Sequence, residues 1–153
     1  MRHASTDSTA GDRDTRRLED CSTQRNLSPS GRDEARRIGS ALKSRGIAVG
    51  DVGSSVWCRC RVTATLAFGM ANRWLPLNSF FRNRDRGPSR TGAVRELVGR
   101  HRGGTLVLVT HQVNIAALTG LYPAEGEMIV LTPRGGDFTV AGRLNPSDVS
   151  QDR

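Results

Sequence analysis

Lysine is almost missing from this chain: of 153 residues, Lys43 is the single lysine among 23 basic side chains. The net charge of +8 and the pI near 11.0 therefore rest on arginine. Arginine offers a planar fork that fits phosphate and carboxylate groups. The arginines never form a run of five or more, and this counts against a nucleic-acid tail. Aromatic residues are only 5% of the chain, too few for the stacking platforms that single-stranded nucleic acid needs. The charge is read first as a solvated, arginine-rich surface; an anionic substrate or a nucleic acid is the functional reading beside it.

Other absences narrow the field further. No C-x-x-C pattern occurs among Cys21, Cys58 and Cys60, and Cys58-x-Cys60 alone makes a poor metal site. No stretch approaches the roughly 18 apolar residues of a membrane span. The start turns polar within a few residues, so no signal peptide is read there and the chain as written is expected to be cytoplasmic. A start further upstream would change that expectation to a periplasmic or secreted protein. No internal repeat is visible.

What is present reads as one domain over residues 1–144 and a polar tail over 145–153. Residues 1–4 resemble the end of a strand, with only Met1 before the arginine, where strands usually have about 5–6 residues. Residues 5–27 are polar and without periodicity, a long loop. Ser28 and Pro29 start a helix with Ala35, Ile38 and Leu42 on its buried face, stopped by Gly46. A short strand ends at Ser54-Ser55, and a second helix runs from Arg59 to Phe68. Residues 70–89 are irregular. Ser89 is expected to cap a third helix, broken at Gly103-Gly104, with His101 at its surface end.

Thr105–Thr110 is a continuous apolar run, the mark of a parallel strand covered on both faces. A short helix, Val113–Thr119, follows. Met128–Leu131 and Phe138–Leu144 form strands around a turn at 133–137. Strands alternating with helices predict an α/β three-layer sandwich, a mostly parallel sheet with helices on both faces.

In such sheets ligands bind beyond the carboxyl ends of strands. Arg2-His3, Arg59 and His111 all fall there, and Asn114 opens the helix after His111, where backbone N–H groups attract anions. Convergence of these residues is what phosphoryl transfer through a histidine requires.

The blocks in which they sit resemble the histidine phosphatase superfamily, in its phosphoglycerate mutase-like branch. Arg2-His3-Ala4 resembles its arginine-histidine-glycine/alanine signature. Leu27-Ser28-Pro29-Ser30-Gly31 with Ala35 resembles its first helix start. Ser54-Ser55 through Arg59 to Thr63-Ala64 resembles its Ser-Ser-Pro-x-x-Arg-Ala-x-x-Thr-Ala block. Val109-Thr110-His111 resembles its second histidine block, with Gln112 where glycine is usual. Asp20 to Leu27, and Gly126-Glu127, are similar to segments of an often exported bacterial subgroup.

The resemblance implies a phosphoglycerate mutase-like fold and a metal-independent phosphomonoester hydrolase without cofactor, acting on a small or sugar-type phosphorylated molecule. It implies that His3 is the nucleophile, with Arg2, Arg59, His111 and Asn114 around the phosphoryl oxygens. It also implies a carboxylate acid, for which Asp7, Asp85, Glu125 and Glu127 stand open. Glu127 is preferred because it begins a strand near the ligand end of the sheet. Hydrolysis is favoured over mutase chemistry because the 70–89 insertion leaves little lid. Two further readings stand beside it: a phosphate-binding relative with weak turnover, its His3 poorly anchored by the short first strand, and an arginine-rich nucleic-acid binder. No nucleic acid and no membrane are expected as partners, and the oligomeric state is open. Cys21 and Cys58 would lie at one end of the sheet, close enough to bridge in an exported protein. For the chain as written, two ordinary thiols are expected.

Overall fold

The computed structural model describes residues 1–149, so the last part of the expected tail, 150–153, lies outside it. Three strands form a parallel ladder in the order β2-β1-β3: β1 (Val49–Ser54), β2 (Asn72–Arg73) and β3 (Thr105–Val109). An antiparallel hairpin pairs β4 (Met128–Arg134) with β5 (Asp137–Leu144). Residues 1–4 stand between these two sheets. Arg2 bridges Thr110 in parallel sense, and the N–H of His3 donates to the Thr110 carbonyl at 3.1 Å. On the other side the N–H of Arg2 donates to the Glu127 carbonyl at 3.0 Å, and that of Gly126 to the His3 carbonyl at 2.8 Å.

Side-chain alternation along β3 divides the core into two layers. Val107 and Val109 point to the side of α1 (Pro29–Ser44) and α2 (Cys58–Phe68), where they meet Ile38, Leu42, Cys60 and Ala64. Leu108 points to the side of α3 (Gly87–Arg100) and α4 (Gln112–Thr119), where it meets Val94, Val98 and Leu118. The architecture is therefore the expected one: a mostly parallel sheet with helices on both faces.

Local chemistry explains the boundaries. The Ser28 hydroxyl caps α1 by accepting from the N–H of Gly31 at 3.0 Å, and Pro29 supplies the first helical position. The third helix is a correction. It starts at Gly87, with no side-chain cap at Arg86, and the Ser89 hydroxyl donates to the Arg86 carbonyl instead. Pro88, already set at a helical φ, occupies the second position of a helix that begins at Gly87, two residues before the expected cap. Strand β4 continues past Leu131 through Pro133 to Arg134. A proline is tolerated there because β4 has one edge without a strand partner among the described residues. Gly135 and Gly136, both at positive φ, close the hairpin in two residues. Pro146–Val149 forms a short helical turn, α5, packed against α1.

Candidate functional site

Two strand ends bring the histidines together. His3 follows the Arg2–Thr110 bridge, and His111 follows β3 at the N-cap of α4. Their ring centroids lie 5.6 Å apart, edge to face, and both rings are buried. The Nδ1 of His3 lies 2.9 Å from the Ala4 carbonyl. A carbonyl can only accept, so Nδ1 carries the proton and Nε2 keeps its lone pair. Burial pushes the His3 pKa down to about 3; the Ala4 carbonyl opposes this, and the charges of Arg59, Arg2 and Arg25 add to it. The ring is neutral at pH 7, the state a nitrogen nucleophile needs.

His111 is also held neutral, its pKa far below the ordinary value through burial first and then the charges around it. Its tautomer follows from its neighbours. The Ser55 hydroxyl donates to Asn78 Oδ1 at 3.0 Å, and the N–H of Val56 donates to the same oxygen at 2.8 Å. With its proton spent, Ser55 Oγ accepts from His111 Nε2–H at 2.9 Å. His111 is thus a neutral imidazole that carries its proton on Nε2. Cys60, buried 3.5 Å from the same nitrogen, remains a thiol because burial pushes its pKa up to about 12.

Three arginines surround this pair. Arg59, in the first turn of α2, lies with its guanidinium 4.5 Å from the Trp57 ring centroid and donates to Asp12 Oδ1 at 3.0 Å. Arg2 donates to the Pro123 carbonyl at 3.0 Å and stands 3.6 Å from Glu125. Arg25 completes the group; its charge and that of Arg59 act on Arg2, His3 and His111. The Nε–H of each of Arg2, Arg25 and Arg59 is buried without a hydrogen-bond partner. An unpaired buried donor costs about 1–3 kcal/mol. Three at one place, around a neutral imidazole, make a site short of acceptor oxygens. Arg61 Nε is also unpartnered, but that side chain lies over sulfur, with Nη2 3.1 Å from Cys58 Sγ.

The structure thus gathers Arg2, His3, Arg59 and His111. Asn114 does not join them as an anion donor. Its amide nitrogen donates to the carbonyls of Asn78 at 2.9 Å and Pro76, its backbone N–H donates to the His111 carbonyl, and the atom left over is an acceptor oxygen. It braces the Asn78 segment that orients Ser55 and His111. Glu127 is likewise committed elsewhere. Its carboxylate accepts from Arg143 and from the N–H of Ala124 at 2.7 Å, and the Arg143 bonds hold its pKa below the usual carboxylate range. A carboxyl kept ionised in this way is a poor proton donor. The carboxylates in contact with site arginines are Asp12 and Glu125, the latter also accepting from the Thr6 N–H and hydroxyl. Asp7 binds Thr9 instead. His101 caps the end of α3 and meets the Gly104 carbonyl at 2.7 Å, apart from the other two histidines.

Arg25 and Asp12 were not legible as site residues. Arg25 sits just before the Leu27-Ser28 helix start, a position that could have been weighed; Asp12 lies in a polar loop with no local signal. Both reach the site because the loop is fastened. Cys21 and Cys58 are joined by a disulfide. This overturns the expectation of two ordinary thiols, because the loop and the start of α2 do meet at one end of the sheet. Gln24 Oε1 accepts from the N–H of Cys58 at 2.9 Å beside it, and Asp12 accepts from the N–H of Arg25 at 2.8 Å.

Thiol counting under denaturing, non-reducing conditions is expected to find one free thiol, Cys60, and three after reduction. Three before reduction contradicts the bridge. A crosslink over a sequence separation of 37 is worth about 3–4 kcal/mol by loop entropy, so reduction should lower the melting temperature clearly.

Among the described residues no group of three or more His, Cys, Asp or Glu side chains is placed to hold a metal ion, and no helix is long and apolar enough to cross a membrane.

No protein-family profile and no curated protein sequence matches the chain. Solved structures do. The protein histidine phosphatase SixA complexed with tungstate superposes with a TM-score of 0.65 at 18% identity, covering 97% of this chain and 96% of that one. A phosphoserine phosphatase from Entamoeba histolytica, in complex with 3-phosphoglyceric acid, gives 0.65 at 14% identity, with coverage of 97% and 96%. A mycobacterial glucosyl-3-phosphoglycerate phosphatase in complex with VO3 gives 0.51 at 19% identity, with 76% of each chain covered. The chain has the histidine phosphatase fold, of the phosphoglycerate mutase-like kind.

Proposed function

We propose that this protein hydrolyses phosphomonoesters through a phosphohistidine formed on His3, and that residues 1–144 work as one catalytic domain. The observation that carries this is the neutral His3, its Nε2 lone pair available, among three buried arginines with unfilled N–H donors. A phosphoryl group supplies the missing acceptors. Structural neighbours that hold tungstate and VO3 support the reading, since both are oxyanions.

In the first step Nε2 of His3 bonds to phosphorus and the ester P–O bond breaks. Asp12 is our choice of acid for the leaving oxygen, in place of Glu127. The phosphoryl group takes the place of Asp12 as the partner of Arg59, and the released carboxyl gives its proton to the leaving oxygen. In the second step water attacks phosphorus, the P–N bond breaks, and Asp12 takes up the proton that water releases. Arg2, Arg25 and Arg59 stabilise charge on the transferring oxygens. The substrate is a small or sugar-type phosphorylated molecule. The Cys21–Cys58 bridge favours an oxidising compartment, periplasmic or extracellular, over the cytoplasm.

The test is a trap. Mixing the protein with a phosphorus-labelled aryl phosphate and quenching in alkali should leave label on the chain, and acid should remove it. Label that survives acid but not alkali would point to a hydroxyl ester and overturn the histidine assignment.

A second expected result concerns protonation. The His3 imidazole resonances should stay those of the neutral ring from pH 8 down to pH 5, well above the folded pKa of about 3. The unfolded chain takes up this proton near the ordinary value of 6.5. Between those two values the unfolded state binds more protons, so His3 makes stability fall as the pH drops through that window. A histidine titration at 6–7 assigned to His3 in the ligand-free protein would refute the neutral site.

A further inference from the structure

The peptide group that follows His3 is held at both ends. Its carbonyl, that of His3, accepts from the N–H of Gly126 at 2.8 Å. Its N–H, that of Ala4, donates to the Thr63 hydroxyl at 3.0 Å. The next carbonyl along the chain belongs to Ala4, and it accepts from His3 Nδ1–H at 2.9 Å. The N–H and this carbonyl are parts of one residue. Whatever pins the Ala4 N–H therefore also limits where the carbonyl stands that fixes the proton of the His3 ring.

Thr63 lies on α2, one turn after Arg59. An N–H can only donate, so the Thr63 oxygen accepts from Ala4 and keeps its own proton for another partner. That partner is the Arg59 carbonyl, at 2.7 Å. One hydroxyl thus ties the residue next to His3 to the backbone of Arg59. Water does not compete for these bonds, because Ala4 and Thr63 are both at 0% exposure. The next two N–H groups are held in the same manner by carboxylates that are only partly buried: Ser5 donates to Glu34 at 2.8 Å and Thr6 to Glu125 at 3.1 Å. A side chain of the same shape without the oxygen would leave the Ala4 N–H buried and unpaired, and the peptide would turn in search of another acceptor.

We propose that Thr63 is a positioning residue for the nucleophile: its hydroxyl orients the His3–Ala4 peptide, and through it the His3 ring, against Arg59. This rests on the reading of His3 as the attacking group. Attack on phosphorus is sensitive to such placement, since a shift of about 1 Å can cost on the order of 10² in rate. Oxyanion binding is far less so. Arg59 keeps its place in α2, whose main-chain ladder does not need the hydroxyl, and Arg2 and Arg25 make no bond to Thr63.

Thr63→Val keeps the shape of the side chain and removes the oxygen; Thr63→Ser keeps the oxygen and removes the methyl. Both are compared with the parent in rapid-quench formation of the phosphoenzyme, calorimetric titration with tungstate and circular dichroism melts. Imidazole nitrogen NMR spectra are added, with His3→Ala to identify the His3 signals. Thr63→Val should form phosphoenzyme about tenfold or more slowly, while its tungstate affinity stays within about threefold of the parent. Its His3 signals should move from those of a ring protonated on Nδ1 toward the average of the two tautomers. Thr63→Ser should match the parent in every measurement. A Thr63→Val protein as fast as the parent overturns the proposal. So does a Thr63→Ser protein as slow as Thr63→Val, which would assign the effect to methyl packing. Loss of tungstate binding in step with the rate also overturns it, because the whole site would then have collapsed. Thr63→Ala removes the same oxygen with a smaller side chain and is measured alongside. If neither it nor Thr63→Val folds, the hydroxyl holds the fold rather than the nucleophile and the proposal fails. A parent that forms no phosphoenzyme refutes the function proposed for His3 instead, and the His3 ring signals then decide the role of Thr63.

Discussion

Replacement of His3 by alanine is expected to abolish the alkali-stable phosphoenzyme and to lower turnover by on the order of 10³ or more, because the covalent route itself is lost. The reason is specific to this nitrogen. The Ala4 carbonyl fixes the proton on Nδ1 of His3, which leaves Nε2 as the attacking atom. His111 is differently placed: its Nε2–H is spent on Ser55. His111→Ala should therefore still form phosphoenzyme, about 10²-fold more slowly, because the ring that packs edge to face against His3 and holds it in place is lost. Rapid-quench labelling of both variants separates the roles, with circular dichroism melts to show that each remains folded. Label retained on His3→Ala, or lost only from His111→Ala, would reverse the assignment.

Gly39→Ala is expected to destabilise the fold, although it replaces glycine inside a helix. Alanine in place of glycine in a helix interior is ordinarily worth about 0.5–1 kcal/mol. Here an added Cβ would stand 1.8 Å from the Ala67 carbonyl oxygen, part of the α2 backbone, which cannot turn aside like a side chain. Overpacking costs about 1–3 kcal/mol or more, so the clash outweighs the propensity gain and α1 is forced off α2. Gly92 in α3 is the counterpart, because a Cβ there meets nothing within 4 Å. Gly92→Ala should raise the melting temperature by about 2–4 °C per kcal/mol gained, while Gly39→Ala should lower it. Thermal melts of the two variants decide the matter. A Gly39→Ala protein as stable as the parent would mean that the α1–α2 contact is not as close as described.

Much of this molecule is written locally. The helix at Pro29–Ser44 follows from its serine cap, its proline and its apolar spacing. The apolar run of β3 announces a strand covered on both faces, and the glycines at 135 and 136 announce the hairpin. His3, Arg59 and His111 were legible because each stands where a strand ends, and strand ends in a parallel sheet converge. Local chemistry decided these features, so the amino-acid order sufficed.

What the tertiary structure decided concerns where side chains turn and what reaches them. Asn114 and Glu127 stand near the right backbone, but the first is drawn to the Asn78 segment and the second to Arg143. Arg25 and Asp12 lie in a loop without periodicity; a disulfide and a buried glutamine bring them to Arg59. The neutrality of both histidines comes from burial among arginines scattered along the chain. These are contacts between residues distant in sequence, and no local pattern encodes a partner a hundred positions away.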